Sequence, residues 1–218
     1  LLQQAERNAR LLEAANQVGR GVSSILDIDE LLPKTVDIIC EAYNFYYAGV
    51  FLTDGVAEFA VLRAGRGHAG VTMMAEGHKL KIGGNSMIGM AVALREARIS
   101  LDVNEEDAFF RNPHLPKTRS EMALPLCVSD RCLGAVTVQS VEGGAFSDND
   151  IQTLQTMADH LAIAINNAEL IQALERAHAE LLRSKTYEAL SAATTEAIHW
   201  IGNKALPITT TAVRMQAD

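Results

Sequence analysis

The sequence predicts an α+β fold, in which a six-stranded antiparallel sheet carries helices on both faces and long helices lead into and out of it. Paired segments rich in β-branched and aromatic residues predict hairpins of the sheet. A strong helix-start signal at Ser147 precedes a run without a helix breaker until Gly202. The length of 218 residues and the apolar content of 48% suit one generous domain with appendages.

The first 26 residues predict a helix that leads into the domain. Apolar residues recur there at steps of three or four between Leu2 and Val22, with polar residues between them. A second helix is expected to start immediately afterwards. Asp27 can cap it, Glu30 stands at the third helical position, and the apolar stripe continues to about Tyr43.

The centre of the chain predicts the six strands. We expect them at residues 46–53, 56–63, 79–82, 99–103, 121–128 and 132–140. Asp54-Gly55 is a strong signal for a tight hairpin turn between the first two. Ser86 can cap a short helix that runs through Ala97. Residues 104–118 are polar and contain two prolines, and they predict a long loop that covers the sheet or carries function.

Residues 65–70 spell G-x-G-x-x-G directly after a predicted strand. A dinucleotide-binding fingerprint requires a helix to open at this point, so that its N-terminus meets the phosphates. Val71, Thr72 and Met73 follow, and they favour extended chain. The segment is therefore interpreted as a flexible loop.

Residues 146–190 predict one long helix. Ser147 and Asp150 can form a capping box, and Phe146 can pack on Ile151 as a hydrophobic staple. The helix would be about 60 Å long at 1.5 Å per residue, longer than the domain is wide. The following apolar residues alternate steps of three and four: Leu154, Ala158, Leu161, Ile165, Ala168, Ile171, Leu174 and Leu181. We expect the part at 169–190 to be a coiled-coil connector in a parallel homodimer.

Composition disfavours several classes of protein. The net charge of -8 and the lack of a lysine- or arginine-rich run argue against binding nucleic acid. No apolar stretch is long enough to span a membrane. Three cysteines are an odd number, which argues against a disulfide framework and for a reducing cytoplasm; Cys127 and Cys132, beside a predicted turn, are interpreted as small strand residues rather than metal ligands.

Several motifs resemble those of GAF domains. They are Ser23-x-x-x-Asp27-x-x-Glu30-Leu31-Leu32, residues 82–89 (IGGNSMIG), residues 118–126 (TRSEMALPL), residues 133–140 (LGAVTVQS) and Phe146-Ser147-x-x-Asp150. The resemblance covers roughly residues 23–170 in the family's order and implies a GAF sensor domain at 27–168. Domains of this family are small-molecule or chromophore sensors with a pocket on one face of the sheet.

Strand alternation places Ala135, Thr137 and Gln139 on one face of the last strand. The resemblance implies that this face meets the ligand, where Thr137 and Gln139 supply polar groups. Met87, Phe109 and Met122 complete the expected pocket, and they either contact a ligand or fill the space themselves.

The resemblance also bears on cofactors, none of which is required by the sequence. Bilin-binding members tether their chromophore through a cysteine in the loop at 104–118, which has none here. Haem-binding members place a histidine in the same loop, close to the position of His114. Phe109, Phe110 and Leu115 could supply part of an apolar haem pocket.

Residues 196–208 (EAIHWIGNKALPI) resemble the phosphoacceptor segment of sensor histidine kinases, with Trp200 where the family usually has an acid. The resemblance implies that His199 accepts a phosphoryl group from ATP and passes it to a response-regulator protein. Asn203, one helical turn on, could orient that group. The opening Leu1-Leu2-Gln3 predicts an excised fragment, so 191–218 is interpreted as a truncated phosphoacceptor segment whose ATP-binding domain lies elsewhere in the parent.

Three functions follow from these observations. The first is a sensory module of a histidine kinase, which responds to a small-molecule or redox signal. The second is a ligand-binding or dimerisation module of another output class, in which His199 is incidental. The third is an enzyme, such as the sulfoxide reductases built on this fold, which needs catalytic cysteines around the pocket.

Overall fold

The computed structural model describes residues 27–105 and 110–215, with side chains through Ile201. The helices are α1 (Ile28–Tyr43), α2 (Gly67–Ala75), α3 (Met87–Leu94) and α4 (Asp148–Met215). The strands are β1 (Tyr47–Thr53), β2 (Phe59–Gly65), β3 (Lys79–Lys81), β4 (Arg98–Ser100), β5 (Ser120–Val128) and β6 (Arg131–Ser140). They form one antiparallel sheet in the order β3-β2-β1-β6-β5-β4, which confirms the predicted α+β class.

One face of the sheet packs against α1 and the first part of α4. Val136 and Val138 of β6 lie in this helix-side core together with Met122 and Leu124 of β5. The apolar stripe of α4 enters the same core through Leu154, Met157, Ala158, Leu161, Ala162, Ile165 and Ala168. The period of the helix therefore matches one face of the strands, as the sequence pattern requires.

The opposite face carries a second, smaller core, which is called the cavity-side core because a cavity lies beside it. It contains Phe51 from β1, Leu62 from β2, Met73 from α2, Ile88 from α3 and Ala135 from β6. The two short helices cover this face only in part, and the loop at 110–118 supplies more of the cover. A cavity remains on this side of the sheet.

Two predicted helix caps are confirmed by their hydrogen bonds. The Asp27 carboxylate accepts from the backbone N–H of Asp29 at 2.9 Å, and the Ser86 hydroxyl oxygen accepts from that of Gly89 at 3.0 Å. Each side chain satisfies a backbone donor that the first helical turn leaves free. The predicted helix at 1–26 lies outside the described residues.

The first hairpin turn is longer than predicted. β2 begins at Phe59, and residues 54–58 form the connection. The Asp54 carboxylate accepts from the backbone N–H of Glu58 at 2.8 Å, which closes the wider loop. Ala57, with a φ of 55°, takes the left-handed conformation instead of Gly55. Asp54-Gly55 therefore begins a side-chain-closed loop and does not form a two-residue turn.

The interpretation of residues 65–70 as a flexible loop followed by extended chain at 71–73 is wrong, since a helix runs from Gly67 to Ala75. Burial of Met73 in the cavity-side core offsets the weak helix propensity of this segment. A Cβ atom at Gly70 would lie 2.1 Å from the carbonyl oxygen of Gly65, so the glycines permit close contact between helix and strand. The sheet is antiparallel here, so the helix does not belong to the βαβ unit of a dinucleotide site.

The second hairpin has a two-residue turn, Ser129-Asp130, with Ser129 at a φ of 52°. On either side of it, Cys127 and Cys132 are joined by a disulfide bond. Both cysteines are strand residues, as interpreted, but the argument from the odd number of cysteines against disulfide bonding is wrong for this pair. Sequence spacing alone does not show that antiparallel pairing places their Cα atoms only 4.0 Å apart.

The predicted capping box at the start of α4 is present. The backbone N–H of Ser147 donates to the Asp150 carboxylate at 3.0 Å, and the N–H of Asp150 donates to the Ser147 hydroxyl at 3.2 Å. The helix passes Gly202, where an end was possible, and continues to Met215. The chain divides into two compact units, residues 1–169 and 170–218. Among the described residues, no helix is both long and apolar enough to cross a membrane.

Candidate ligand-binding site

A cavity of about 370 Å³ lies on the face of the sheet opposite α1 and α4. Strands β1, β5 and β6 form its floor, α2 and α3 form two walls, and the loop at 110–118 covers it. Its apolar lining comes from Phe51, Met73, Leu80, Met87, Ile88, Val103, Phe110, Pro113, Leu115 and Pro116. Its volume is within the range of small-molecule sites.

The polar part of the floor comes from two paired strands. Glu121 of β5 lies opposite Gln139 of β6, and Thr137 lies two residues away on the same face. The Thr137 hydroxyl donates to Glu121 Oε1 at 3.0 Å. The Thr118 hydroxyl donates to Gln139 Oε1 at 2.6 Å and joins the covering loop to the floor. Strand register therefore gathers the polar groups into one connected patch.

Glu121 is the residue that sequence reasoning missed. Only 5% of its surface is exposed, and burial raises its pKa to about 7, while hydrogen bonds from Thr137 and Gln139 act in the opposite direction. The carboxyl group is therefore present in both protonation states near neutral pH. Its position in β5 could have identified it from the sequence. Ala123 pairs with Thr137, and Glu121 lies two residues before Ala123, so alternation places its carboxylate on the same face of the sheet as Thr137.

Two further polar atoms at the cavity lack a hydrogen-bond partner among the described residues. They are the Tyr47 hydroxyl and His78 Nε2, and both are buried. Burial raises the pKa of Tyr47, and burial together with the charge of His114 lowers the pKa of His78. A buried polar atom without a hydrogen-bond partner is costly, so both atoms favour a ligand or water that hydrogen-bonds to them.

The covering loop is attached to α2 and the residue that follows it. Asn112 Nδ2 lies 3.2 Å from Met73 Sδ, and His114 Nε2 lies 2.9 Å from Glu76 Oε2. Within the loop, the backbone N–H of His114 donates to Asn112 Oδ1 at 3.0 Å. These contacts hold Phe110 and Leu115 over the cavity.

The structure places only part of the predicted pocket at the cavity. Thr137, Gln139 and Met87 line it, whereas Ala135 lies in the neighbouring core without lining it. Met122 is buried on the helix side of the sheet, because alternation along β5 turns Glu121 and Ala123 toward the cavity instead. Phe109 lies outside the described residues.

His114 does not line the cavity, although its neighbours Pro113 and Leu115 do. Its Nε2 atom lies 2.9 Å from Glu76 Oε2, and Glu76 does not line the cavity either. The residues present therefore do not fit a haem held by His114.

His199 lies on an exposed face of α4 in the second unit. Glu188, Ser191, Ala192, Thr195 and Glu196 share its face at helical spacing and form a shallow groove with it. Asn203 lies in the helical backbone of α4, and its side chain is outside the described part of the chain.

Comparisons with known proteins agree with this architecture. Residues 25–166 match the family model described as GAF domain. None of the curated proteins is similar enough to the chain to count as a match.

Several solved structures share the fold. The chain is similar to the GAF domain of a phosphoenolpyruvate-protein phosphotransferase from Coxiella burnetii, with 23% identity and a TM-score of 0.68 over 76% of this chain and 98% of that one. It is also similar to the free methionine-R-sulfoxide reductase from Neisseria meningitidis in complex with its substrate. The identity is 21% and the TM-score is 0.64, over 74% of this chain and 91% of that one. A third similar structure is the GAF domain of the phosphoenolpyruvate-protein phosphotransferase from Acinetobacter. It is 17% identical to this chain with a TM-score of 0.63, and the match covers 75% of this chain and 97% of that one.

Proposed function

The chain belongs to the GAF domain family, which is of sensory and regulatory type, and on this premise we propose that it is the sensory module of a two-component histidine kinase. A small molecule binds in the cavity, and its presence is relayed along α4 toward His199. The observation that carries the sensory part is the buried carboxyl of Glu121 in a cavity of about 370 Å³.

The polar groups of the cavity define what the ligand must offer. Glu121 receives hydrogen bonds from Thr137 and Gln139, and the remaining lone pairs of its carboxylate can accept more. A ligand with an N–H or O–H group on this side and a hydrogen-bonding group toward His78 Nε2 would satisfy both. Its remaining surface is apolar, to match Phe51, Leu80 and the other lining residues.

The sheet connects the cavity to α4. Thr137 faces the cavity, and its neighbours Val136 and Val138 face the helix-side core that contains Leu161 and Ile165. A ligand that shifts β6 therefore changes the surface on which α4 packs. α4 then continues as one element to Met215. The relay requires the ligand to bind two arrangements of this contact with different affinities.

We propose a second copy of this chain as the partner of α4. Leu174 and Leu181 are exposed and lie seven residues apart, which is the repeat of a coiled-coil seam. In a parallel homodimer, this seam packs against the same seam of the second copy, so the apolar residues of both helices are removed from water. Residues 169–190 are then the connector between the GAF domain and the segment at 191–218.

His199 is proposed as the phosphoacceptor, with Asn203 supporting it. ATP would be supplied by a separate kinase domain, and the phosphoryl group would pass to a response-regulator protein. In the purified chain, mixed with a separately produced histidine-kinase ATP-binding domain and γ-labelled ATP, we expect acid-labile label on His199. His199→Ala should remove it, whereas His178→Ala, an exposed histidine on the same helix, should retain it.

The absence of label on the wild-type chain would contradict the kinase assignment. The chain would then be a ligand-binding or dimerisation module of another output class. Ligand binding is tested separately by thermal shift against a library of small amines, amino acids and nucleotides. We expect a compound that stabilises the wild type and Glu58→Gln, an exposed control, but not Glu121→Gln. Equal shifts in all three proteins would contradict the role of Glu121.

The sulfoxide-reductase alternative lacks support at the cavity. No cysteine occurs among the described residues that line it. Cys127 and Cys132 lie at the hairpin end, and Cys40 is buried in the helix-side core. We expect no turnover of free methionine sulfoxide with dithiothreitol as the reductant.

A further inference from the structure

The end of the β5–β6 hairpin carries a pair of cysteines that ligand binding does not use. Cys127 and Cys132 are partners across the two strands, with Cα atoms 4.0 Å apart, and they are linked by a disulfide bond. Both residues are partly exposed at the hairpin end. Cys40 differs: it is buried, and burial raises the pKa of its thiol to about 11, which makes it unreactive.

The hairpin end touches both cores of the domain and α4. Cys132 packs against the cavity-side core, and Val128 packs against the helix-side core. Between them, Arg131 pairs with Glu169 of α4, with Nη2 and Oε2 2.9 Å apart. Glu169 is the last residue of the first unit. A change in the hairpin end therefore acts on α4 where it leaves this unit.

The strand register is irregular at the same place. The pairing of β5 with β6 shifts between Leu126 and Cys127, next to the disulfide. Bonded sulfur atoms lie about 2 Å apart, whereas two thiols must separate to van der Waals contact. Breaking the disulfide bond therefore changes the distance between β5 and β6 next to their two-residue turn. The pairing of the two strands is already irregular there, so their hydrogen bonds can rearrange at this end.

We propose that Cys127 and Cys132 form a reversible thiol–disulfide switch, oxidised by hydrogen peroxide, whose state is transmitted to α4 by the Arg131–Glu169 ion pair. The redox chemistry is independent of the cavity. Only its effect on signalling rests on the proposed relay through α4.

The reaction balances as follows. One thiolate attacks a peroxide oxygen, the O–O bond breaks, and a sulfenic acid and hydroxide form. The second thiolate attacks the sulfenic sulfur, the S–S bond forms, and a second hydroxide leaves. Two protons from the thiols convert the hydroxides to water, so two thiols and one peroxide give one disulfide and two waters. A dithiol such as dithiothreitol returns two electrons and two protons.

The chemistry is tested on the full chain by mass and thiol titration. After reduction and removal of dithiothreitol, peroxide should remove two titratable thiols and two hydrogens in mass from the wild type and from Cys40→Ser. Dithiothreitol should restore both thiols. Cys127→Ser and Cys132→Ser should form no intramolecular disulfide. A wild type that stays reduced, that resists dithiothreitol, or that gives only intermolecular disulfides would overturn the proposal.

The coupling is tested by amide hydrogen exchange of the oxidised and reduced chain. Exchange around Glu169 should differ by about threefold or more between the two states of the wild type, a change typical of altered local stability. Arg131→Ala should keep the reversible disulfide but lose most of that difference. Cys40→Ser should behave as the wild type. Equal exchange in both redox states of the wild type would overturn the transmission to α4, whatever the kinase assay shows.

Discussion

Glu121 places a titratable carboxyl group at the floor of the cavity. Its carboxyl group is buried in the sheet and receives hydrogen bonds from the Thr137 hydroxyl and the Gln139 side chain. Burial of a charge disfavours the ionised form, and two neutral hydrogen bonds compensate for only part of that cost. The cavity therefore holds a group that changes charge near neutral pH.

This titration should be visible in the stability of the protein. The pKa of Glu121 rises from 4.5 to about 7 on folding, so between these pH values the folded chain keeps a proton that the unfolded chain releases. The contribution of the protonated Glu121 carboxyl to the free energy of unfolding is complete below pH 4.5 and is lost as the pH rises through 7. Glu121→Gln should gain stability relative to the wild type over this window, by on the order of 3 kcal/mol.

Urea unfolding at pH 5 and at pH 8 measures this difference. Glu58→Gln, in the exposed first hairpin loop, is the matched control and should follow the wild type at both pH values. If Glu121→Gln also follows the wild type, the raised pKa is contradicted.

At the scale of elements, α2 shows how packing overrides local preference. Val71 and Thr72 favour extended chain, yet the segment is helical because Met73 is buried and Gly70 meets Gly65 directly. This helix and the loop at 110–118 together cover the cavity, so its position is part of the site.

The contact between α2 and β2 should not tolerate a side chain. Gly70→Ala would place Cβ 2.1 Å from the Gly65 carbonyl oxygen, which is backbone and cannot rotate away. We expect a loss of at least about 2 kcal/mol of unfolding free energy, although alanine itself favours a helix. Gly55→Ala has no atom within 4 Å of the new Cβ and should leave stability almost unchanged. Thermal unfolding of the two variants distinguishes them, and equal melting temperatures would be inconsistent with the close contact.

Helix α4 has a buried apolar part that belongs to the domain core and an exposed apolar part farther along. Its residues through Ala168 complete the helix-side core of the first unit. Farther along, Leu170, Leu174, Leu181, Leu182, Tyr187 and Leu190 are more than half exposed. One helix thus combines a stripe that folds the GAF domain with apolar residues that the described part of the chain leaves uncovered.

The proposed homodimer depends on those exposed residues. Leu181→Glu should weaken or abolish dimerisation, because it introduces like charges face to face in the seam. Ala179→Glu adds the same single negative charge at an exposed position on the side of the helix away from Leu174 and Leu181, and it should leave the dimer intact. Light scattering after size-exclusion chromatography gives the mass of each species. A wild-type monomer at tens of micromolar would refute the dimer.

Elements whose signals are local can be predicted from short stretches of sequence. The caps at Asp27, Ser86 and Ser147 depend on side chains that bond to backbone within three residues, and the strands of the sheet follow from alternation that short stretches display. The face assignment of Thr137 and Gln139 follows from the same alternation and is visible without coordinates.

The remaining features depend on contacts between segments that are far apart in the chain, so they emerge only when the chain is packed. Helix α2 forms because Gly65 and Gly70 let it approach β2, and the Cys127–Cys132 bond forms because antiparallel pairing brings the two residues opposite each other. Met122 lies away from the cavity and Glu121 lies at its floor because register sets the face of β5. Burial, which changes the acidity of Glu121, is a property of the packed chain as a whole and is not encoded in any one segment.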